Sequence, residues 1–142
     1  MQIIVDDNES RTGLDVLLAR VWNDVAVRRL EVGDIAIGNR VLIERKTIPD
    51  FVLSINDGRL FRQAAELIQS VRRPLVLLEG TEAIPHERGA WRGVLLALTV
   101  GYRIPIVRSI DLDHTAVIIR HIAAQECKRA RRARREKGHA GE

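Results

Sequence analysis

The chain has 142 residues, 46% of them apolar and 30% charged, with a formal net charge of +4. That length suits one domain with its own core, and that apolar share excludes a disordered chain. No stretch approaches the roughly 18 apolar residues of a membrane helix, the lone Cys127 excludes an internal disulfide or a cysteine zinc cluster, and "MQIIVDDNES" lacks the basic-then-apolar pattern of a secretory signal.

In chain order, "QIIVD" opens as a strand, and "TGLDVLLARVW" carries Leu14, Leu17, Leu18 and Val21 at helical spacing. "VAVRRL" is a short strand. "DIAI" and "RVLIE" flank the turn dipeptide Gly38-Asn39, the pattern of a hairpin, and Pro49 ends its second strand. "DGRLFRQAAELIQSV" has Leu60, Ala64, Leu67, Ile68 and Val71 on one helical stripe, with Asp57 as its expected N-cap. "PLVLLEG" is a nearly continuous apolar run of strand length, the pattern of a buried central strand. "TEAIPHERG" reads as a loop, "WRGVLLALTVGY" as a helix ending at Gly101, and "IPIVRS" as a strand. The last helix, from "LDHTAVIIRHIAAQE" onward, has Ala116, Ile119, Ile122 and Ala123 on one face. The order β-α-β-β-β-α-β-α-β-α predicts an α/β domain over residues 1–127, followed by a basic tail over 128–142.

The charge is unevenly spread. Residues 128–142 hold seven Lys or Arg and two Glu, while the rest of the chain has sixteen basic and seventeen acidic residues. The body is nearly neutral and the basicity lies in "KRARRARREKG". Such a run is either a solvated helix end or disordered segment, or an electrostatic handle for nucleic acid.

The second hairpin strand ends in three consecutive charges, Glu44, Arg45 and Lys46. Side chains alternate along a strand, so Leu42, Glu44 and Lys46 share one face and Val41 and Ile43 the other. Glu44 and Lys46 then lie roughly 7 Å apart. Asp34 starts the partner strand, so hairpin pairing brings its carboxylate towards the same face. Two carboxylates near an ammonium suit a Mg²⁺ site, with the Arg45 main-chain carbonyl as a third ligand. The competing reading is surface salt bridging at a strand end.

"GDIAIGNRVLIERKTIPD" resembles the GD-x(n)-ERK-xxx-D signature of the XPF/Hef family of structure-specific nucleases, with Gly33-Asp34, Glu44-Arg45-Lys46 and Asp50 in order. "IIVDDNE", "SINDGRLFRQ", "PLVLLEG" and the segment from Trp91 to Glu126 resemble further family segments, so the likeness covers about residues 2 to 126. The resemblance implies a restriction-endonuclease-like fold, a central mixed sheet flanked by helices. It implies an enzyme that cuts one strand of branched DNA, a flap or fork, near a duplex–single-strand junction. Asp34 and Glu44 would be its metal carboxylates for Mg²⁺ (or Mn²⁺), Arg45 a carbonyl ligand and Lys46 the catalytic lysine. Asp6, Glu9 and Asp50 match further acidic positions of the family site. Arg59 and Gln63, at i and i+4 of a helix, match positions near the cleft, where the resemblance implies contact with phosphate or support of acidic residues; a capping or salt-bridging role is the competing reading for Arg59. Lys128, Arg129, Arg131, Arg132, Arg134 and Arg135 would add DNA contacts from the tail. A homodimer through the C-terminal helices is also implied, with Trp91, Ile118, Ile119 and Ile122 as candidates for its surface and core packing as the competing explanation for each. Asn8 departs from the family pattern, which has Arg there. The expected setting is cytoplasmic and nucleoid-associated in a prokaryote or nuclear otherwise, with no membrane partner. The alternative is a non-catalytic DNA-binding or dimerisation subunit, but such subunits typically lose the acidic residues that this chain keeps.

Overall fold

The computed structural model describes residues 1–84 and 89–140. Six strands form one mixed sheet: β1 Ile3–Val5, β2 Val25–Val27, β3 Ile35–Ile37, β4 Val41–Thr47, β5 Arg73–Glu79 and β6 Ile106–Ser109, in the order β2-β1-β3-β4-β5-β6. β3 runs antiparallel to both β1 and β4, whereas β4, β5 and β6 are parallel to one another. The helices are α1 Leu14–Ala19, α2 Ile48–Asp57, α3 Arg59–Ile68, α4 Ala90–Leu96 and α5 Leu112–Ala140. A 3₁₀ turn at Glu9–Thr12 precedes α1, and a π turn at Ala97–Gly101 extends α4. This is the expected α/β class, with a mixed sheet between helical layers.

Strand alternation sorts the core into two halves. Ile3, Val5, Ile35, Ile43 and Leu77 pack with α1 and with Ala116, Ile119 and Ala123 of α5. Ile4, Ala36, Leu42, Val76 and Leu78 face the other way, onto Phe51 of α2, Leu60 and Ala64 of α3, and Val94 of α4. Ile119 is therefore fully buried in this chain's own core and is removed from the expected dimer surface. Ile118 and Ile122 pack half-buried against the same cluster. The half-buried Trp91 lies in the first turn of α4.

The hairpin forms as the Gly38-Asn39 signal predicts: Gly38 has φ 52°, and Arg40 N–H returns to the Ile37 carbonyl at 3.1 Å. One helix was not expected. α2 starts directly from β4, with the Thr47 hydroxyl accepting the Asp50 N–H at 3.3 Å and Pro49 in the first turn, where no donor is needed. Pro49 ends the strand and opens the helix. Gly58, at φ 76°, then turns the chain into α3. The N-cap position of α3 is Gly58 and not Asp57, although the Asp57 carboxylate still accepts the Arg59 N–H at 3.0 Å. The loop expected at 81–89 falls partly on 85–88, outside the described residues. α5 continues without a break through residue 128, so the basic run extends a core helix.

Gly33 delivers Asp34 to the sheet. It has φ 78°, and a Cβ there would come within 2.6 Å of Leu42 Cδ1. Both the left-handed backbone and the approach to β4 require glycine. Gly33→Ala is expected to cost about 1–3 kcal/mol, read as a lower urea midpoint, because strain and overpacking act together.

Candidate active site

Charge collects at one end of the sheet, where β4 outruns β3. The last ladder bond from this end of β3 runs from Asp34 N–H to the Ile43 carbonyl at 2.8 Å. The next donor on β4, Arg45 N–H, finds the Asp34 carboxylate instead, 2.8 Å from Oδ2. A strand residue directs its N–H and C=O to the same side. The Arg45 carbonyl therefore points past the end of β3, beside Asp34. Asp34 Oδ1 accepts no hydrogen bond from any described residue. Glu44 and Lys46 share the face of Leu42, with Lys46 Nζ 3.9 Å from Glu44 Oε1 and both side chains largely buried. Asp34, Glu44 and Lys46 thus converge, while Arg45 goes through to the other face.

Burial first, then the charges of Glu44 and Glu9, push the Asp34 carboxyl up to about 8, against the opposing Arg45 N–H and Lys46. Burial likewise pushes Glu44 up to about 7; Lys46 opposes it, and Glu9, Glu66 and Asp6 add to it. Two buried carboxylates with spare oxygens, ringed by other acids, form a site short of positive charge. Hard oxygen donors and negative surplus fit a divalent cation. Among the described residues, no three His, Cys, Asp or Glu side chains form a ready cage. The fit is thus to an ion that keeps much of its water, which Asp34, Glu44 and the Arg45 carbonyl could hold.

On the opposite face, the Arg45 guanidinium makes a two-pronged pair with Glu79 of β5, including Nε to Oε1 at 3.0 Å, and a third bond from NH1 to Glu9 Oε1 at 2.9 Å. Burial opposes the Arg45 charge, but Glu79 and Glu9 outweigh it and raise its pKa. Thr115 of α5 donates to Glu79 Oε1 at 2.6 Å, and its hydroxyl also lies 2.6 Å from Ser109 Oγ of β6. Arg45 thereby ties three strands, the 3₁₀ turn and α5 together behind Asp34 and Glu44. Glu79 and Thr115 escaped the sequence reading. The available signal was the charge closing "PLVLLEG", the same clue that marked Glu44.

The other expected residues are spread more widely. Asp6 is buried, its Oδ1 taking Leu30 N–H at 2.7 Å and its Oδ2 taking Asn8 N–H at 3.1 Å, so it fastens two loops beside the site. Glu9 is buried, and burial raises its pKa against the pull of Arg45. Asp50 is exposed in the first turn of α2. Arg59 is exposed and paired with Asp57 at 2.7 Å. Gln63 is half-buried, and its Oε1 has no partner. Glu66 of α3, not anticipated, acts on Glu44 by charge. Lys128 to Arg135 lie on α5, away from this cluster.

Residues 5–122 match the ERCC4 domain. The chain belongs to that family. A Methanocaldococcus jannaschii protein named as an ATP-dependent RNA helicase is 35% identical over 126 residues, 89% of this chain but 16% of its own length. The 3′-flap repair endonuclease Xpf of Saccharolobus solfataricus is 32% identical over 127 residues, 87% of this chain and 54% of its own. XPF from Aeropyrum pernix, solved in complex with DNA, superposes with a TM-score of 0.81 at 30% identity, covering 89% of this chain and 65% of that one. The ERCC4 chain described here thus spans from a sixth to about two thirds of the length of these relatives. Its fold is the restriction-endonuclease-like fold of XPF nuclease domains, as the resemblance implied.

Two outcomes follow from this geometry. Asp34 and Glu44 hold folded pKa values near 8 and 7, above their ordinary 3.8 and 4.5, so folding takes up protons between those limits. Their contribution to stability is complete below pH ~4 and is lost as pH rises through about 7 to 8. Metal-free protein should therefore unfold at less urea at pH 8.5 than at pH 5.5, with a divalent cation reversing the loss and Asp34→Asn flattening the profile. Separately, Glu79→Ala removes the two-pronged partner of Arg45 and leaves Glu9 as its one carboxylate, and should cost about 1.5–3 kcal/mol by the same measurement.

Proposed function

We propose that this protein is a divalent-metal-dependent, structure-specific DNA endonuclease that cuts one strand of a flap or fork near a duplex–single-strand junction, in DNA repair or fork processing. The observation that carries the reading is the convergence of Asp34, Glu44 and Lys46 at a sheet end in a chain of the ERCC4 family. The named activities of the Xpf relatives support it. Mg²⁺ is the proposed ion, with Mn²⁺ as a substitute, because two carboxylates, one carbonyl and retained water suit a hard cation. When bound, it would polarise a phosphoryl oxygen and lower the pKa of a water.

The chain's own residues supply the rest. Asp34 and Glu44 hold the ion, and Arg45 N–H fixes which Asp34 oxygen is free. Lys46 brings a buried ammonium to the same face, placed to orient the attacking water or offset the charge gathering on phosphorus. The acidic surround of Asp6, Glu9 and Glu66 disfavours an ionised Glu44 without a cation beside it, a repulsion that a bound divalent ion would relieve. Gln63, with an unpartnered oxygen, and Arg59 are proposed to meet the DNA beside the cleft. The basic residues of α5 from Lys128 to Arg135 are proposed to meet phosphates further away. A homodimer is proposed through the later helices, where Leu96, Val100 and Val117 are exposed, as is Ile110 just before α5.

The test is nicking of a labelled flap by the folded chain with added Mg²⁺. Asp34→Asn and Glu44→Gln should each abolish cleavage while leaving the protein folded. Lys46→Ala should lower the single-turnover rate by about 10²–10⁴-fold and leave flap affinity within a few fold. Near-normal cleavage by Asp34→Asn would remove the metal pair; a large loss of affinity in Lys46→Ala with normal turnover would make it only a phosphate anchor.

A further inference from the structure

The other end of the sheet carries a second, opposite concentration of charge. Glu126 of α5 is 3% exposed and is approached by three guanidiniums: Arg40 Nε at 3.7 Å, Arg129 NH1 at 3.9 Å, and Arg73 in closest contact. Arg73, Glu126 and Arg129 line a concavity of about 390 Å³, with Arg103 on its rim and Val41, Leu75 and Ile122 among its floor. Three arginines meet one carboxylate and Arg103 stands on the rim, a formal surplus of three positive charges. The compensation is incomplete at Arg73, whose pKa falls through burial and through repulsion by Arg129 and Arg40. Arg73 and Arg129 are each more than half exposed, so they retain donors for a ligand. Arg103 has φ 58°, the one left-handed non-glycine residue among those described. Backbone strain of this kind concentrates at binding sites.

This concavity is separate from the metal pair. Val41 on its floor and Lys46 are at opposite ends of β4, about 16 Å apart at strand rise. Val41 faces the α5 layer, whereas Leu42, Glu44 and Lys46 face the α3 layer. A duplex lying straight across the metal pair therefore does not enter it. The lining has arginines for phosphate forks but no aromatic ring on which a base could stack. The apolar floor lowers the local dielectric, which strengthens attraction to an anion. Arg129 also belongs to the cationic run Lys128–Arg135, so the positive surface continues along α5.

We infer that this arginine-rimmed concavity binds backbone phosphates of a second arm of branched DNA, an arm other than the one held at the metal pair. The inference rests on the nuclease reading above and extends it to how a branch is told from a plain duplex. Contact at two poles and on opposite faces of the sheet suits a nucleic acid whose arms diverge.

The test uses the full chain carrying Arg73→Gln and Arg103→Asn together. Asn tolerates the left-handed backbone, and Arg40 and Arg129 remain opposite Glu126. Kd is measured for a flap and for a linear duplex of equal nucleotide count, without divalent metal, across a salt series. Flap affinity should fall about tenfold at low salt, and the slope of log K against log salt should flatten by up to about 2, while the linear duplex changes less than twofold. An unchanged flap Kd and slope would overturn the contact. Equal losses on both DNAs would overturn the second-arm assignment. If the double variant does not fold, the Arg73 and Arg103 Nε–H resonances of wild-type protein decide the matter: they shift on adding flap if the inference holds, and their standing still overturns it. Shifts produced by a polyglutamate peptide but not by flap would assign the site to an acidic protein partner and overturn it too. Wild-type chain that nicks the flap yet fails these tests loses the second-arm contact alone, whereas wild-type chain that neither binds nor nicks the flap loses both readings.

Discussion

The two-residue period of β4 is the constraint from which the rest of the site follows. Glu44 and Lys46 must leave one face and Arg45 the other. The front face receives a carboxylate and an ammonium. The back face receives a guanidinium that would be costly to bury alone. Glu79 and Glu9 meet it there, and Thr115 holds Glu79. Meanwhile the Arg45 backbone N–H, lying in the plane between the faces, holds Asp34. One residue thus links the packing behind the sheet to the carboxylate geometry in front of it.

This arrangement explains why the chain tolerates so much buried charge. Glu79 and Glu9 on the back face each accept from Arg45 at hydrogen-bond distance. On the front face Asp34 has the Arg45 N–H on one oxygen and Glu44 has Lys46 at 3.9 Å, and burial with neighbouring acidic charge lifts both towards the protonated state. The imbalance is local: fully partnered charge where rigidity is wanted, under-partnered charge where an ion fits. Gly33 and α2 complete the frame. Gly33 lets the chain pass close enough to Leu42 to align Asp34 with β4, and α2, rising directly from Thr47, buries Ile48 and Phe51 beneath the end of the site.

The molecule is also polar along its strands. The acid-rich pole lies where β4 and β5 end, and the arginine-rich pole where they begin, around Glu126. α5 connects them, with Thr115 in its first turns at one pole and Glu126 at the other. Its core face is continuous, so the basic run beyond Lys128 is an extension of a packed helix. A charge run that composition alone leaves open between solvated end and disorder is thereby given a fixed direction.

By itself the sequence determined the local features. The alternation of "RVLIERK" fixed which charges share a face, Gly38-Asn39 fixed the hairpin, and the apolar stripe from Leu60 to Leu67 fixed α3. Asp34 and Glu44 could be brought together because a hairpin pairs residues close in sequence. α2 was missed because Pro49 signals a break more loudly than Thr47 and Asp50 signal a cap. What only the tertiary structure decided is non-local. Arg45 finds Glu79 through the pairing of two parallel strands joined by two helices, a register that no short-range pattern carries. The apolar stripe carrying Ile119 fits a core or a dimer surface equally on a helical wheel, and only the packing of α1 and the sheet over it puts Ile119 in the core. The arginines at 40, 73, 103 and 129 come from a turn, a strand start, a loop and a helix, and only the packing of α5 on the sheet makes them one site.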